Sequence, residues 1–312
     1  MSIYVLFPGQ GAQVPGMGLD FLENYGAYRE AVETASRISG KDLSSVFRDK
    51  ELLDKTENSQ IAIFTMGFGI MSVLREKGIV PDAYMGLSLG EYGALASAGA
   101  FTFEDGVRLL VKRSEAMQKA CDNTEGFLAA VSFFQSDLIE KALEGKEGLW
   151  VSNYNAPSQT VCGGLASRKE EFESALKEAG AKKITFLNVS GAFHTKLMAE
   201  AGKEFRAFLE GTELKTPEAK VLSNYKGTFY EEGDDLKDIL EKHIYSPVRL
   251  VQSFESLDPK DGDVFIQVGP GKALASLAKQ NKVKGSIYSV DSISDMEALL
   301  KELDSLGGAQ NG

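Results

Sequence analysis

The five residues Ile3-Tyr4-Val5-Leu6-Phe7 are apolar or aromatic throughout and stop abruptly at Pro8-Gly9. A strand with one wet face alternates apolar and polar side chains, whereas a strand covered on both faces reads as a continuous apolar run. This segment therefore belongs inside a parallel sheet with helices on both faces, which commits the chain to an α/β layout. Residues 81–86, leading into Gly86-Leu87-Ser88-Leu89-Gly90, and residues 263–268, ending at Gly269-Pro270-Gly271, are further strand candidates. Residues 59–75 carry apolar side chains on nearly every face, so they are expected to form a helix within the molecule rather than on its surface. With 312 residues, 43% of them hydrophobic, the chain can build one large core or two domains.

Residues 126–188 have a separate rhythm. Strands are expected at 127–133, 149–154, 160–163 and 183–187, with helices at 136–143 and 167–179. That order, β-α-β-β-α-β, is the split arrangement of a ferredoxin-like module. The chain accordingly divides into a larger α/β domain, 1–125 with 189–312, and a small insert, 126–188. Past the insert a helix is expected over 197–210 and a last amphipathic helix over 294–306, where Ser294 and Glu297 have capping-box spacing. The tail 307–312 is expected to fray.

Composition removes several function classes. The balance of 34 Lys+Arg against 45 Asp+Glu, a net charge of −11, opposes general binding to a nucleic-acid backbone. The two cysteines, Cys121 and Cys162, lack the spacing of a disulfide framework or a zinc site and read as buried thiols of a reducing compartment. The opening apolar run is too short for a signal peptide or a spanning helix, so a cytoplasmic protein with no membrane attachment is expected.

The chemistry centres on Gly86-Leu87-Ser88-Leu89-Gly90, which fits G-x-S-x-G between an expected strand and an expected helix. In such an elbow the serine Oγ projects from a tight turn, and the Leu89 N–H, at the helix N-terminus, is placed to hold an oxyanion. Glu91 falls in the first turn, where a carboxylate suits the helix dipole. A serine hydroxyl near neutral pH needs a base. Only His194 and His243 are available. His194 lies at the junction after the insert, where loops commonly present catalytic groups, and is the favoured base; His243 lies among charged residues near the end of a helical stretch. On a helix over 104–120, Arg113 has Leu109, Leu110, Ala116 and Met117 as its neighbours one turn away. Its guanidinium is therefore expected on a buried face, where it needs an anion, either an internal Asp or Glu or the carboxylate of a substrate. Pro8-Gly9-Gln10-Gly11-Ala12-Gln13 lacks the spacing of a phosphate-binding loop and is expected to lend a backbone N–H to the same pocket.

Together, Gly9-Gln10-Gly11-Ala12-Gln13, Gly86-Leu87-Ser88-Leu89-Gly90-Glu91, Arg113 with Met117-Gln118, Gly191-Ala192-Phe193-His194 and Val268-Gly269-Pro270-Gly271-Lys272 closely resemble the malonyl-CoA:acyl carrier protein transacylases, in order and spacing, from residue 3 to about residue 280. The resemblance implies an α/β-hydrolase-like large domain with a parallel sheet and a ferredoxin-like insert. It implies that Ser88 attacks malonyl-CoA while His194 takes its proton, that the N–H groups of Gln10 and Leu89 hold the oxyanion, and that Arg113 grips the malonyl carboxylate. The acceptor would be the phosphopantetheine thiol of a holo acyl carrier protein in fatty acid synthesis, with no metal or redox cofactor and a monomeric enzyme. Leu87, Phe193 and Asn155 are expected on the pocket wall, with Phe193 crowding an α-methyl branch. Two positions depart from the family. His243 stands where a Gln usually orients the histidine through its backbone carbonyl, and Leu87 stands where a His commonly precedes the serine.

Three other readings use the same residues. A transacylase serving a polyketide synthase would share the chemistry. A serine thioesterase or esterase would share the elbow but have no need of Arg113. A catalytically idle carrier-binding scaffold would need neither Ser88 nor His194. Lys272, Lys279, Lys282 and Lys284 form the densest basic stretch, which is either a docking patch for an acidic carrier or simply a solvated helix face.

Overall fold

The computed structural model describes residues 1–308. The strands, in chain order, are β1 (Ile3–Phe7), β2 (Ala83–Gly86), β3 (Gly126–Ser132), β4 (Leu149–Ala156), β5 (Gln159–Leu165), β6 (Lys183–Phe186), β7 (Lys220–Val221), β8 (Val248–Arg249), β9 (Val264–Val268) and β10 (Ser286–Val290). They form two five-stranded sheets.

The first sheet has the order β10-β9-β1-β2-β7, and every pairing is parallel. β1 is its centre, with Tyr4 opposite Ala83 on one side and opposite Phe265 on the other. Val5, Leu6 and Phe7 are buried, as the unbroken apolar run requires. β7 and β10 carry no strand signal in the sequence, since two residues have no period and Ser-Ile-Tyr-Ser-Val, though preceded by Gly285, neither alternates nor runs apolar. Helix Thr56–Glu76 is buried along most of its length, as its apolar faces predict.

The second sheet runs β6-β3-β5-β4-β8. β3, β4, β5 and β6 pair antiparallel, and helices Ser136–Leu143 and Lys169–Glu178 cover one face through Ile139, Phe172 and Leu176. Residues 126–188 supply four of these strands. The fifth, β8, comes from the chain beyond and pairs parallel with β4, Asn153 opposite Val248. The elements of 126–188 thus share a sheet with the 189–312 segment, because the edge of β4 has unpaired backbone groups that a passing strand can satisfy.

The last helix, Ile293–Gly308, starts earlier than expected. Its cap is the Ser292 hydroxyl, which accepts the Asp295 N–H at 3.3 Å, so the three-residue capping spacing is realised two residues before Ser294 and Glu297. The helix runs through Gly308; the rest of the tail expected to fray, residues 309–312, lies outside the described residues. Among the described residues no helix is long and apolar enough to cross a membrane.

Because β1, β2 and β9 are parallel neighbours, the turns that follow them open on the same edge of the sheet, where open α/β sheets place their ligands.

Candidate active site

At the end of β2 the backbone turns through Ser88, whose φ is 54°, into helix Gly90–Ser97. A side chain in this left-handed region is strained and persists only where its surroundings hold it. The turn is packed so closely that a Cβ on Gly86 would lie 1.9 Å from the Gly90 carbonyl carbon, and one on Gly90 2.1 Å from the Phe7 oxygen. The Leu87 N–H donates to the Phe7 oxygen at 3.0 Å, tying the elbow to the end of β1. Asn224 clamps it from the other side. Its Oδ1 accepts the Ser88 N–H at 2.7 Å, and its Nδ2 donates to the Gly86 oxygen at 2.7 Å.

Ser88 Oγ lies 2.7 Å from His194 Nε2. His194 Nδ1 lies 2.8 Å from the backbone oxygen of His243, which can only accept, so Nδ1 carries the proton and Nε2 is free to accept from the serine. Burial, with the nearby Arg113 charge, pushes the His194 pKa down to about 3. The imidazole is therefore neutral near pH 7, as a base must be.

Arg113 is buried on helix Phe103–Asn123, on the apolar face anticipated for it. Nη2 donates to Ser88 Oγ at 3.1 Å and Nη1 to Gln60 Oε1 at 2.6 Å, while Nε has no partner. The guanidinium lies over the Tyr92 ring at 5.5 Å. Burial lowers its pKa from the ordinary value. Among the described residues no carboxylate comes within 4.0 Å of it, so the internal salt bridge left open by the sequence is not formed. A buried cation beside the serine, held only by neutral groups, leaves space and charge for an incoming anion.

These groups share a cleft of about 590 Å³ between the two sheets, lined by Gln10, Leu87, Ser88, Arg113, Asn155, Phe193 and His194 among others. Leu87, Phe193 and Asn155 are thus all on its wall, and the Asn155 Oδ1 is buried without a partner. The Leu89 side chain is in the core below, so only its backbone can face the serine. Neither the Gln10 N–H nor the Leu89 N–H donates a hydrogen bond among the described residues, and a Cβ on Gly9 would come within 2.6 Å of the Leu87 oxygen, which shows how close the two turns lie. Lys50 and Asp54 pair at the cleft mouth.

Three contributors, Gln60, Asn224 and Tyr230, were not anticipated. Gln60 had a weak signal, being a long polar side chain at the start of the mostly apolar run 60–74, but Asn224 and Tyr230 had none. Glu91 has a second role beyond the helix dipole. It lies in the first turn of helix Gly90–Ser97, as expected, and is wholly buried there, accepting the Asn224 N–H at 3.0 Å and the Tyr230 hydroxyl. The side chain of His243 is also buried, its ring stacked on that of His194.

The acyl transferase domain model matches residues 3–298. The malonyl CoA-acyl carrier protein transacylase of Bacillus subtilis is 35% identical over 304 residues, covering 96% of this chain and 95% of the relative. The crystal structure of that transacylase from Clostridium perfringens superposes with a TM-score of 0.94 at 31% identity, covering all of both chains. The chain belongs to the malonyl CoA-acyl carrier protein transacylase family. It is an acyltransferase. A solved complex of a type II PKS acyl-carrier protein with its malonyl-transacylase matches with a TM-score of 0.90 at 28% identity, covering 97% of this chain and 100% of that one. His243, expected to stand in place of a Gln, offers its backbone oxygen to His194 Nδ1, a contact that needs no particular side chain.

Proposed function

We propose that this transacylase takes the malonyl group of malonyl-CoA onto Ser88 and delivers it to the phosphopantetheine thiol of a holo acyl carrier protein for fatty acid synthesis. The observation that carries the reading is Arg113, a buried guanidinium with no carboxylate partner among the described residues, 3.1 Å from the Ser88 hydroxyl. An acyl group ending in a carboxylate meets that cation while its thioester carbon meets Oγ.

His194 Nε2 takes the Ser88 proton as Oγ bonds to the thioester carbon. The backbone N–H groups of Gln10 and Leu89 hold the developing oxyanion. The C–S bond then breaks, the proton passes from His194 to the CoA sulfur, and malonyl-Ser88 remains. The carrier thiol repeats the steps in reverse, giving its proton to His194 and releasing Ser88.

The test is intact-protein mass spectrometry after mixing with malonyl-CoA and then with holo acyl carrier protein. A malonyl-sized gain that moves to the carrier is expected. A gain lost to water indicates a thioesterase, and carrier binding with no gain indicates a scaffold. Whether a fatty acid or a polyketide carrier accepts the label faster separates the two pathways, the second being supported by the polyketide neighbour.

The depressed His194 pKa has its own consequence. An imidazole of ordinary pKa would be about 97% protonated at pH 5 and idle as a base, whereas one held down to about 3 is still neutral there. Ser88 labelling is expected to persist at pH 5. Complete loss of labelling with a midpoint near 6.5 would contradict this.

Carrier docking is supported by the basic stretch. Lys279, Lys282 and Lys284 are exposed, and none forms an ion pair among the described residues. Asn281 within it donates to the Asn155 oxygen at 2.8 Å, joining the stretch to the cleft wall. Reversing the three charges is expected to raise the KM for carrier about tenfold without slowing Ser88 labelling, since rim charges act on encounter more than on chemistry. An unchanged KM returns these lysines to a solvated helix face. A cytoplasmic setting is supported by the buried free thiols of Cys121 and Cys162.

A further inference from the structure

The histidine of this site is oriented by a neutral carbonyl, so no carboxylate touches it to balance the charge it acquires on taking the Ser88 proton. Arg113 makes that charge harder to form, because its own cation lies against the same hydroxyl. A bound malonyl carboxylate answers Arg113 but not the imidazolium.

One carboxylate is wholly buried among the described residues, and it lies behind this pair. Glu91 lines no part of the cleft. Its Oε2 accepts the backbone N–H of Asn224, the residue whose side chain bridges Ser88 N–H and the Gly86 oxygen. The same oxygen is 3.4 Å from His243 Nδ1, and the His243 ring stacks on His194 with centroids 5.1 Å apart and planes 27° apart. Neither nitrogen of His243 has a hydrogen-bond partner among the described residues, so the ring conveys field and packing rather than a proton relay.

We propose that Glu91 is a positioning residue for the acyl transfer, holding the strained Ser88 turn through Asn224 and setting a negative charge behind His194 across the His243 ring. The inference rests on the acyl-enzyme reading above and assigns Glu91 no contact with substrate.

The titratable and charged groups around Glu91 are Tyr92 on its own helix, Arg113 on helix Phe103–Asn123, Tyr230 after β7, His243 on helix Leu236–Tyr245, and His194 beyond it. Burial lifts the Glu91 carboxyl to about 7, against the donors Tyr230 and Asn224, which pull it down. Both of its protonation states are then populated near neutral pH. His194 stays neutral over the same range, so a step in rate there reports Glu91 rather than the base.

The experiment is the single-turnover rate of Ser88 malonylation between pH 5.5 and 8.5, read by intact mass, for the wild type, Glu91→Gln and Tyr230→Phe. The wild type is expected to rise severalfold through about pH 7. Glu91→Gln, which keeps an oxygen for the Asn224 N–H but no charge, is expected to stay at the low level across the range with the KM for malonyl-CoA within about twofold. Tyr230→Phe removes a donor that favours the ionised carboxyl, so its step should move to higher pH. A Glu91→Gln enzyme that keeps the wild-type step, or that loses only affinity, overturns the proposal. So does a Tyr230→Phe step that does not move, and this variant decides the matter should Glu91→Gln fail to fold. If the wild type takes no label at all, the acyl-enzyme reading falls and this inference with it; if it labels normally while the variants behave as wild type, only this inference falls.

Discussion

Ser88→Ala is expected to erase the malonyl mass gain and to lower kcat for transfer by on the order of a millionfold, the scale seen when the serine of a serine–histidine pair is removed. Oγ is the atom proposed to carry the acyl group, with His194 Nε2 at 2.7 Å and Arg113 Nη2 at 3.1 Å both converging on it. The fold should survive, because the Ser88 backbone N–H keeps its bond to Asn224 and alanine occupies less space. Relief of the Arg113 contact leaves that guanidinium with only Gln60, so substrate binding is not expected to weaken. A Ser88→Ala protein that still gains a malonyl mass would place the nucleophile elsewhere.

Arg113→Ala is expected to lower kcat/KM for malonyl-CoA by about 30- to several-thousandfold, corresponding to about 2–5 kcal/mol for removing one partner of a buried, hydrogen-bonded charge pair. Acylation by acetyl-CoA, which has no carboxylate, should fall far less and could rise, so the preference between the two esters collapses. Stability is expected to hold, since the free protein loses a buried cation with an unpartnered Nε and no ion pair. Comparing the two acylation rates for wild type and variant decides it: an equal loss for both esters would mean that Arg113 serves the elbow rather than the substrate carboxylate.

Much of this site can be read along the chain because its signals are local. The apolar run Ile3–Phe7 states that β1 is covered on both faces, and it is the centre of the parallel sheet. The glycines flanking Leu87-Ser88-Leu89 state that other backbone must pass close by, and the Phe7 oxygen does. The apolar neighbours of Arg113, one helical turn away on each side, state that its charge is buried. The capping of the last helix was misplaced by two residues because Ser292/Asp295 and Ser294/Glu297 offer the same spacing, and only the way the chain leaves β10 selects between them. Glu91 falls in the first helical turn as expected, but its burial has no local signal. A carboxylate in a first turn is usually solvated there, and nothing nearby in sequence reveals that Asn224, Tyr230 and His243 close over it.

What the amino-acid order alone established was therefore the α/β layout, the nucleophile elbow, the candidate base and the buried guanidinium, each carried by a period or motif spanning a few residues. The tertiary structure decided the rest. Gln60 reaches Arg113 across 53 positions, Asn224 reaches Ser88 across 136, and Tyr230 reaches Glu91 across 139. It also decided that Arg113 meets no carboxylate among the described residues. Contacts at such separations arise from how two sheets and their helices pack, and packing imposes shape and polarity on a side chain without leaving a period in the sequence around it.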